Sequence, residues 1–321
     1  MIRASYATHS IISMFPSRKN NIPLCTTAYF LLGKKCSGKC AFCIQSSNSI
    51  SNDSSKLSRI SWPELHIPLD KIISIVNNVI EFQRICIQAT KCLSKSDRST
   101  IKDITHISNK PISLSMVPKD IKEAENLLSL PNVDFLNLSL DSASTDHFKD
   151  IKGENPNAFW EKLSLFSSHF PKKIRTHIII GMGESDRDLI DTMFKLKRLN
   201  IIPSLFAFFP LKGTPMQHLD QSPRNRYRVF QLIRELIFFQ NISKDLFHID
   251  GNRLTGIDIE ISDIRKIASS GEIFMTRGCP GCNRPYYNER PSQIPYNFHE
   301  KPNKKNIQDS IEDILSFFAK S

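Results

Sequence analysis

Apolar residues in this chain follow two patterns: short continuous runs, and longer stretches where they recur every third or fourth position. The first run, Thr27 to Gly33 (TAYFLLG), is β-prone and unbroken, which is the mark of a strand buried on both faces. Further strands are predicted over 84–90 (RICIQAT), 112–117, 133–140 (VDFLNLSL), 174–180 (IRTHIII) and 201–209. Between them, helical spacing marks 69–82, 101–107, 119–130, 157–170, 186–199 and 224–240. Weaker strand signals lie at 247–250 and 271–276, around a helix at 258–267, and a closing helix is predicted over 307–319. The Ser- and Asn-rich stretch 46–58 reads as a mobile loop.

Strands alternating with helices predict a parallel sheet with crossover helices. Six units are strong and two are weak. The expected fold is therefore α/β: a (β/α)8 TIM-type barrel or a partial, six-stranded (β/α)6 barrel. The expected organisation is an N-terminal extension (1–26), the barrel (27–276) and a C-terminal extension (277–321), and 321 residues suit one large barrel domain. Such barrels carry functional side chains at the C-terminal strand ends.

The formal net charge is +11, but the lysines and arginines are spread along the chain rather than clustered. That is a solvated basic surface, and no nucleic-acid partner is expected. No apolar run approaches the ~20 residues of a membrane span, so no membrane partner is expected either. Eight cysteines, five of them in two motifs, argue for a reducing compartment rather than a disulfide scaffold. Residues 1–52 lack Asp and Glu and include Arg3, Arg18 and Lys19, a composition shared with transit peptides. Because the first strand begins near Thr27, the expected reading is an integral extension of a cytoplasmic protein.

Charge and length say little about chemistry; the cysteines say more. Cys36, Cys40 and Cys43 lie in one loop with the spacing C-x3-C-x2-C, directly after the first strand. Three thiolates on one loop can hold three corners of a 4Fe-4S cluster and leave the fourth iron open for chemistry. A zinc knuckle would want a fourth ligand and C-x2-C pairs, and no cysteine or histidine near the loop supplies it. Asn137, Ser139 and Asp141 share one face at the end of the fourth strand, by the two-residue period. Asp141 either caps the helix near Thr145 or offers a carboxylate at the barrel rim. Gly181-Met182-Gly183-Glu184 follows the fifth strand and opens a helix, where paired glycines allow close backbone approach.

A second pair, Cys279-Pro280-Gly281-Cys282, aims two thiolates at one metal. No second C-x2-C completes a zinc ribbon, and Arg284-Pro285 disfavours the helix that follows a redox pair. Ligands from elsewhere would complete the site. Cys86, inward-facing with Gln88 and Thr90, is the first donor, Cys25 the next and Cys92 the third. Taken alone, Cys86 is equally a small buried hydrophobe.

On the C-x3-C-x2-C loop, the chain resembles the radical S-adenosylmethionine (SAM) enzymes. The resemblance implies a 4Fe-4S cluster on Cys36, Cys40 and Cys43, with SAM chelating the open iron and an electron donor driving its cleavage to a 5′-deoxyadenosyl radical. It implies that the Phe42 backbone meets the adenine and that the Gly181–Glu184 turn backs the SAM site. By similarity to biotin synthase, Ser139 (asparagine in that enzyme) and Asp141 would lie near the SAM ribose. Lys162 falls where that enzyme has an arginine for the SAM carboxylate. Biotin synthase takes second-cluster ligands from three strands, of which this chain keeps only Cys86. The second N-terminal cysteine triplet of single-chain lipoyl synthase is absent.

From Arg3-Ala4-Ser5 to Gly278–Pro291 (GCPGCNRPYYNERP), the chain resembles one subunit of the two-protein, biotin-synthase-like lipoyl synthases. That resemblance implies an auxiliary 4Fe-4S cluster as sulfur source, on Cys279, Cys282 and Cys86 or Cys25. It implies two partners: an octanoylated lipoyl-carrier protein and a second radical SAM subunit.

Overall fold

The computed structural model describes residues 2–17, 22–51, 53 and 55–319. Arg18 and Lys19 lie outside the described residues. Its centre is an open, curled sheet of seven strands. A short edge strand, β1 (Arg3–Ala4), runs antiparallel to β2 (Thr27–Leu32). Two small strands, β3 (Lys56–Leu57) and β4 (Ile60–Ser61), form a separate hairpin. The sheet continues in parallel through β5 (Arg84–Ala89), β6 (Ile112–Ser115), β7 (Val133–Asn137), β8 (Ile174–Ile180) and β9 (Pro203–Ala207). Of the two barrels expected from the sequence, the partial six-stranded one is present.

The two weak strands do not join it. β10 (Phe247–Asp250) pairs only with β11 (Arg253–Ile257), as an antiparallel hairpin. The 271–276 segment contains a 3-10 turn, Glu272–Phe274, entered through Gly271 in the left-handed region. The Ser/Asn-rich 46–58 loop is also more tied down than its composition suggests. Ser46 and Ser49 are buried, and the Ser49 hydroxyl donates to the Gly213 carbonyl at 3.0 Å.

Crossover helices cover the outer face of the sheet. Their starts are set locally: Ser94 with Asp97, and Ser185 with Asp188, form reciprocal capping boxes. Asn155 caps the helix that begins at Pro156. Strand β8 shows the consequence for the interior. Ile174, Thr176, Ile178 and Ile180 are buried beneath helices, while Arg175, His177 and Ile179 point into the curl of the sheet.

The C-terminal segment folds back beneath the strand starts. Thr26 and Thr27 donate their hydroxyls to the Gly281 carbonyl at 2.6 and 2.9 Å. Asn283 accepts from the Thr26 backbone N–H at 3.2 Å and donates to the carbonyls of Leu24 (2.7 Å) and His299 (3.0 Å). The half-barrel is thus plugged at its N-terminal end and open at its C-terminal end. Among the described residues, no helix is long and apolar enough to cross a membrane.

Candidate active site

The open end holds a cavity of about 860 Å³, within the range of small-molecule sites. Cys36, Cys40, Cys43 and Phe42 line it on one side, Ser139, Asp141 and His177 on another. Two backbone N–H groups, from Gly38 and Lys91, point at the Cys36 sulfur at 3.3 Å each. Cys40 donates to the Lys152 carbonyl at 3.7 Å. Burial, with Cys40 alongside, pushes the Cys43 thiol up to about 12; burial also raises Cys40. Partly desolvated thiols so close together resist ionising at once, and a cationic iron centre among them removes that resistance. This donor set fits an iron–sulfur cluster. Among the described residues, no three His, Cys, Asp or Glu side chains are drawn in closely enough to hold one metal ion. A cluster instead spreads its thiolates over the corners of a cube.

Asp141 sits at the end of the strand run with φ +61°, in the left-handed region. One carboxylate oxygen faces His177 Nε2 at 2.5 Å; the other is paired with the Lys152 ammonium. Burial opposes its charge, yet Lys152 and His177 hold its carboxyl well below the usual carboxylate range. Asp141 is therefore an ionised acceptor on the cavity wall rather than a helix cap. The Lys152 ammonium also donates to the Ser139 carbonyl at 2.9 Å.

The other expected SAM contacts are placed differently. Lys162 does not line the cavity; its ammonium reaches the Pro118 carbonyl at 3.3 Å, and Lys152 is the lysine that lies inside. Gly181, Gly183 and Glu184 do not line it either. The Glu184 carboxylate accepts the N–H groups of Gly181 and Met182 at 2.8 Å each and pairs with Arg226 at 2.9 Å. This turn backs the loop indirectly, because Met182 packs with Phe42, Ala41 and Ile151.

A second, small pocket lies below, among the strand starts. Cys86, Cys279, Cys282, Asn137, Arg84 and Arg284 line it, and His177, Phe206 and Arg284 line both spaces. Asn137 thus belongs to this lower pocket, with its amide 3.8 Å from the Cys279 sulfur. Burial pushes the Cys86 thiol up to about 12 and raises Cys279. Cys25 lines neither space; its thiol donates to the Thr27 carbonyl at 3.0 Å, beside Thr8 of the N-terminal helix.

Arg284 is the residue that sequence reasoning passed over. Its guanidinium lies over the rings of Phe206 (4.9 Å), Tyr287 (5.2 Å) and Tyr29 (5.6 Å). No carboxylate among the described residues pairs with it. Burial works against its charge, but the facing groups of Cys282, Tyr287 and Cys86 raise its pKa overall. A half-buried cation without an acid, beside three thiols, fits an anionic occupant. The two-residue alternation of β8 was the available signal for His177, and the Gly278–Pro291 motif for Arg284.

The chain belongs to the radical SAM superfamily, whose sequence profile matches residues 30–196. It is 28% identical to a biotin synthase of Persephonella marina over 210 residues, which cover 62% of this chain and 59% of that protein. It is 23% identical to a GTP 3',8-cyclase of Lactiplantibacillus plantarum over 187 residues, covering 57% and 52%. The chain therefore spans little more than half the length of these curated relatives. The crystal structure of Streptococcus suis SuiB bound to S-adenosylmethionine shares the fold, with TM-score 0.52, 12% identity, and 70% and 50% of the two chains covered. Membership implies SAM and a 4Fe-4S cluster, and Cys36, Cys40 and Cys43 are the residues that would hold the cluster.

Proposed function

We propose that this chain inserts sulfur into an octanoyl chain carried on a lysine of a lipoyl-carrier protein, one half of a two-subunit lipoyl synthase. One observation carries the reading: Cys86, Cys279 and Cys282 gather around a half-buried arginine that has no carboxylate partner, directly below the cavity that holds the radical SAM cysteines. An auxiliary 4Fe-4S cluster there would supply sulfur on the far side of the substrate from SAM. The biotin synthase match supports the same chemistry.

When bound, cluster and SAM supply a carbon radical strong enough to take hydrogen from an unactivated C–H. The reaction exchanges that hydrogen for sulfur, and the hydrogen leaves on 5′-deoxyadenosine. The protein's part is placement. Asp141, held by Lys152 and His177, presents an ionised acceptor to SAM. His177, Phe206 and Arg284 form the wall past which the acyl chain lies between radical and sulfur, sheltered from water. The partners of this reading are an octanoylated carrier protein, a second radical SAM subunit and an electron donor, in the cytoplasm.

The match to GTP 3',8-cyclase favours a second reading, a radical SAM reaction that transfers no sulfur. Anaerobic incubation of reconstituted protein with SAM, reductant and an octanoyl-lysine peptide, with and without a candidate second subunit, separates them. Sulfur added to the peptide, read by mass, supports the proposal. 5′-Deoxyadenosine without sulfur transfer supports the second reading, and neither product removes both.

A further inference from the structure

The short helix Phe148–Lys152 and the two residues after it lie across the cysteine loop. The Ile151 carbonyl accepts the Ala41 N–H at 2.8 Å, and the Lys152 carbonyl accepts from Cys40. Glu154 pairs with Lys91 at 2.7 Å, and the Lys91 N–H points at the Cys36 sulfur. Gly153 ends the helix at φ +67°, and a Cβ there would lie 2.5 Å from the Lys39 Cβ. The same segment sends the Lys152 ammonium to Asp141 and Ser139.

We infer that Ile151–Glu154 is a clamp that sets the shape of the cysteine loop before a cluster arrives, with Gly153 as its point of closest approach. Lys152 ties the clamp to Asp141, so loop and SAM wall are positioned by one piece of chain. The segment makes main-chain or ion-pair contacts next to Cys36 and Cys40 without contributing a ligand. Its residues are positioning residues. Between its cysteines the loop holds Ser37, Gly38, Lys39, Ala41 and Phe42, so Phe42 is its one large apolar anchor. An outside template removes the conformational freedom that three-point ligation must otherwise overcome.

Two glycines provide the test. Gly153→Ala adds left-handed strain and a collision with Lys39. Gly251→Ala adds similar strain at φ +57° but meets nothing within 4 Å. The readouts are iron and sulfide bound at the first site, measured in a Cys279→Ala background so that the lower pocket does not contribute, the EPR signal of the reduced cluster, and apo-protein circular dichroism and melting. The clamp predicts that Gly153→Ala loses several-fold in bound iron while melting close to Gly251→Ala, which binds normally. Adding Lys39→Gly to Gly153→Ala removes the colliding Cβ and should restore most of the iron even if the single variant folds poorly. Normal cluster binding by Gly153→Ala overturns the proposal, as does failure of Lys39→Gly to restore any. If the Cys279→Ala background alone, with Gly153 intact, binds no cluster, the radical SAM reading of the loop fails rather than the clamp.

Discussion

His177 Nε2 and one Asp141 carboxylate oxygen lie 2.5 Å apart on the cavity wall, while the other oxygen is taken by Lys152. A single buried carboxylate just beyond β7 thus bridges the middle of β8 and the helix that crosses the cysteine loop. Its ionisation is a structural requirement of this wall.

Replacing Asp141 with Asn should strand the Lys152 ammonium in a buried site and cost about 3–5 kcal/mol of stability. The pH dependence has a definite sign. Asp141 titrates below the usual carboxylate value of about 4, so its contribution is complete above that value and fades as pH falls beneath it. Lys152 titrates above its ordinary value of about 10.4, so its share is complete below that value and fades as pH rises past it. Urea midpoints of wild type and Asp141→Asn should therefore differ most between about pH 5 and 10 and converge in acid.

Lys162 and Lys152 should behave oppositely. Lys162→Ala removes a contact to Pro118 outside the cavity and should leave SAM affinity unchanged. Lys152→Ala releases Asp141 and should weaken SAM binding at least about tenfold, ~1.4 kcal/mol. Equilibrium binding of SAM to cluster-loaded protein distinguishes them, and an equal loss in both would contradict the placement of these side chains.

Arg284→Met should affect apo and cluster-loaded protein differently. Without a cluster, it removes a cation that has no carboxylate partner but rests on three aromatic rings, so apo stability should change by no more than ~1 kcal/mol. With iron and sulfide present, the loss of the cation should lower occupancy of the lower site. Denaturant melts of the apo variant and iron content after reconstitution test the two halves separately.

Much of this was legible in the sequence, for physical reasons that also mark its limits. Strand β8 is legible at its observed bounds because its β-branched residues Ile174, Thr176, Ile178 and Ile180 recur every second position on the helix-facing side. The Cys36, Cys40 and Cys43 loop was legible because its ligands are local. Lys152 was not, because a five-residue helix is too short to show a period, and Lys162 was suggested by similarity to biotin synthase rather than by any pattern in this chain. Arg284 depends on a chain reversal: its N–H meets the Tyr29 hydroxyl across 255 positions, a relationship no local pattern encodes. Residues 271–276 misled because their apolar positions serve a turn beneath the sheet rather than a further strand.

The central claim is that one half-barrel holds two clusters, one for the radical and one for the sulfur. The direct measurement is iron and acid-labile sulfide per chain after anaerobic reconstitution, in wild type and in Cys279→Ala. Two cubes predict about eight of each in wild type and about four in the variant, which should still cleave SAM to 5′-deoxyadenosine. About four in both proteins would contradict the account.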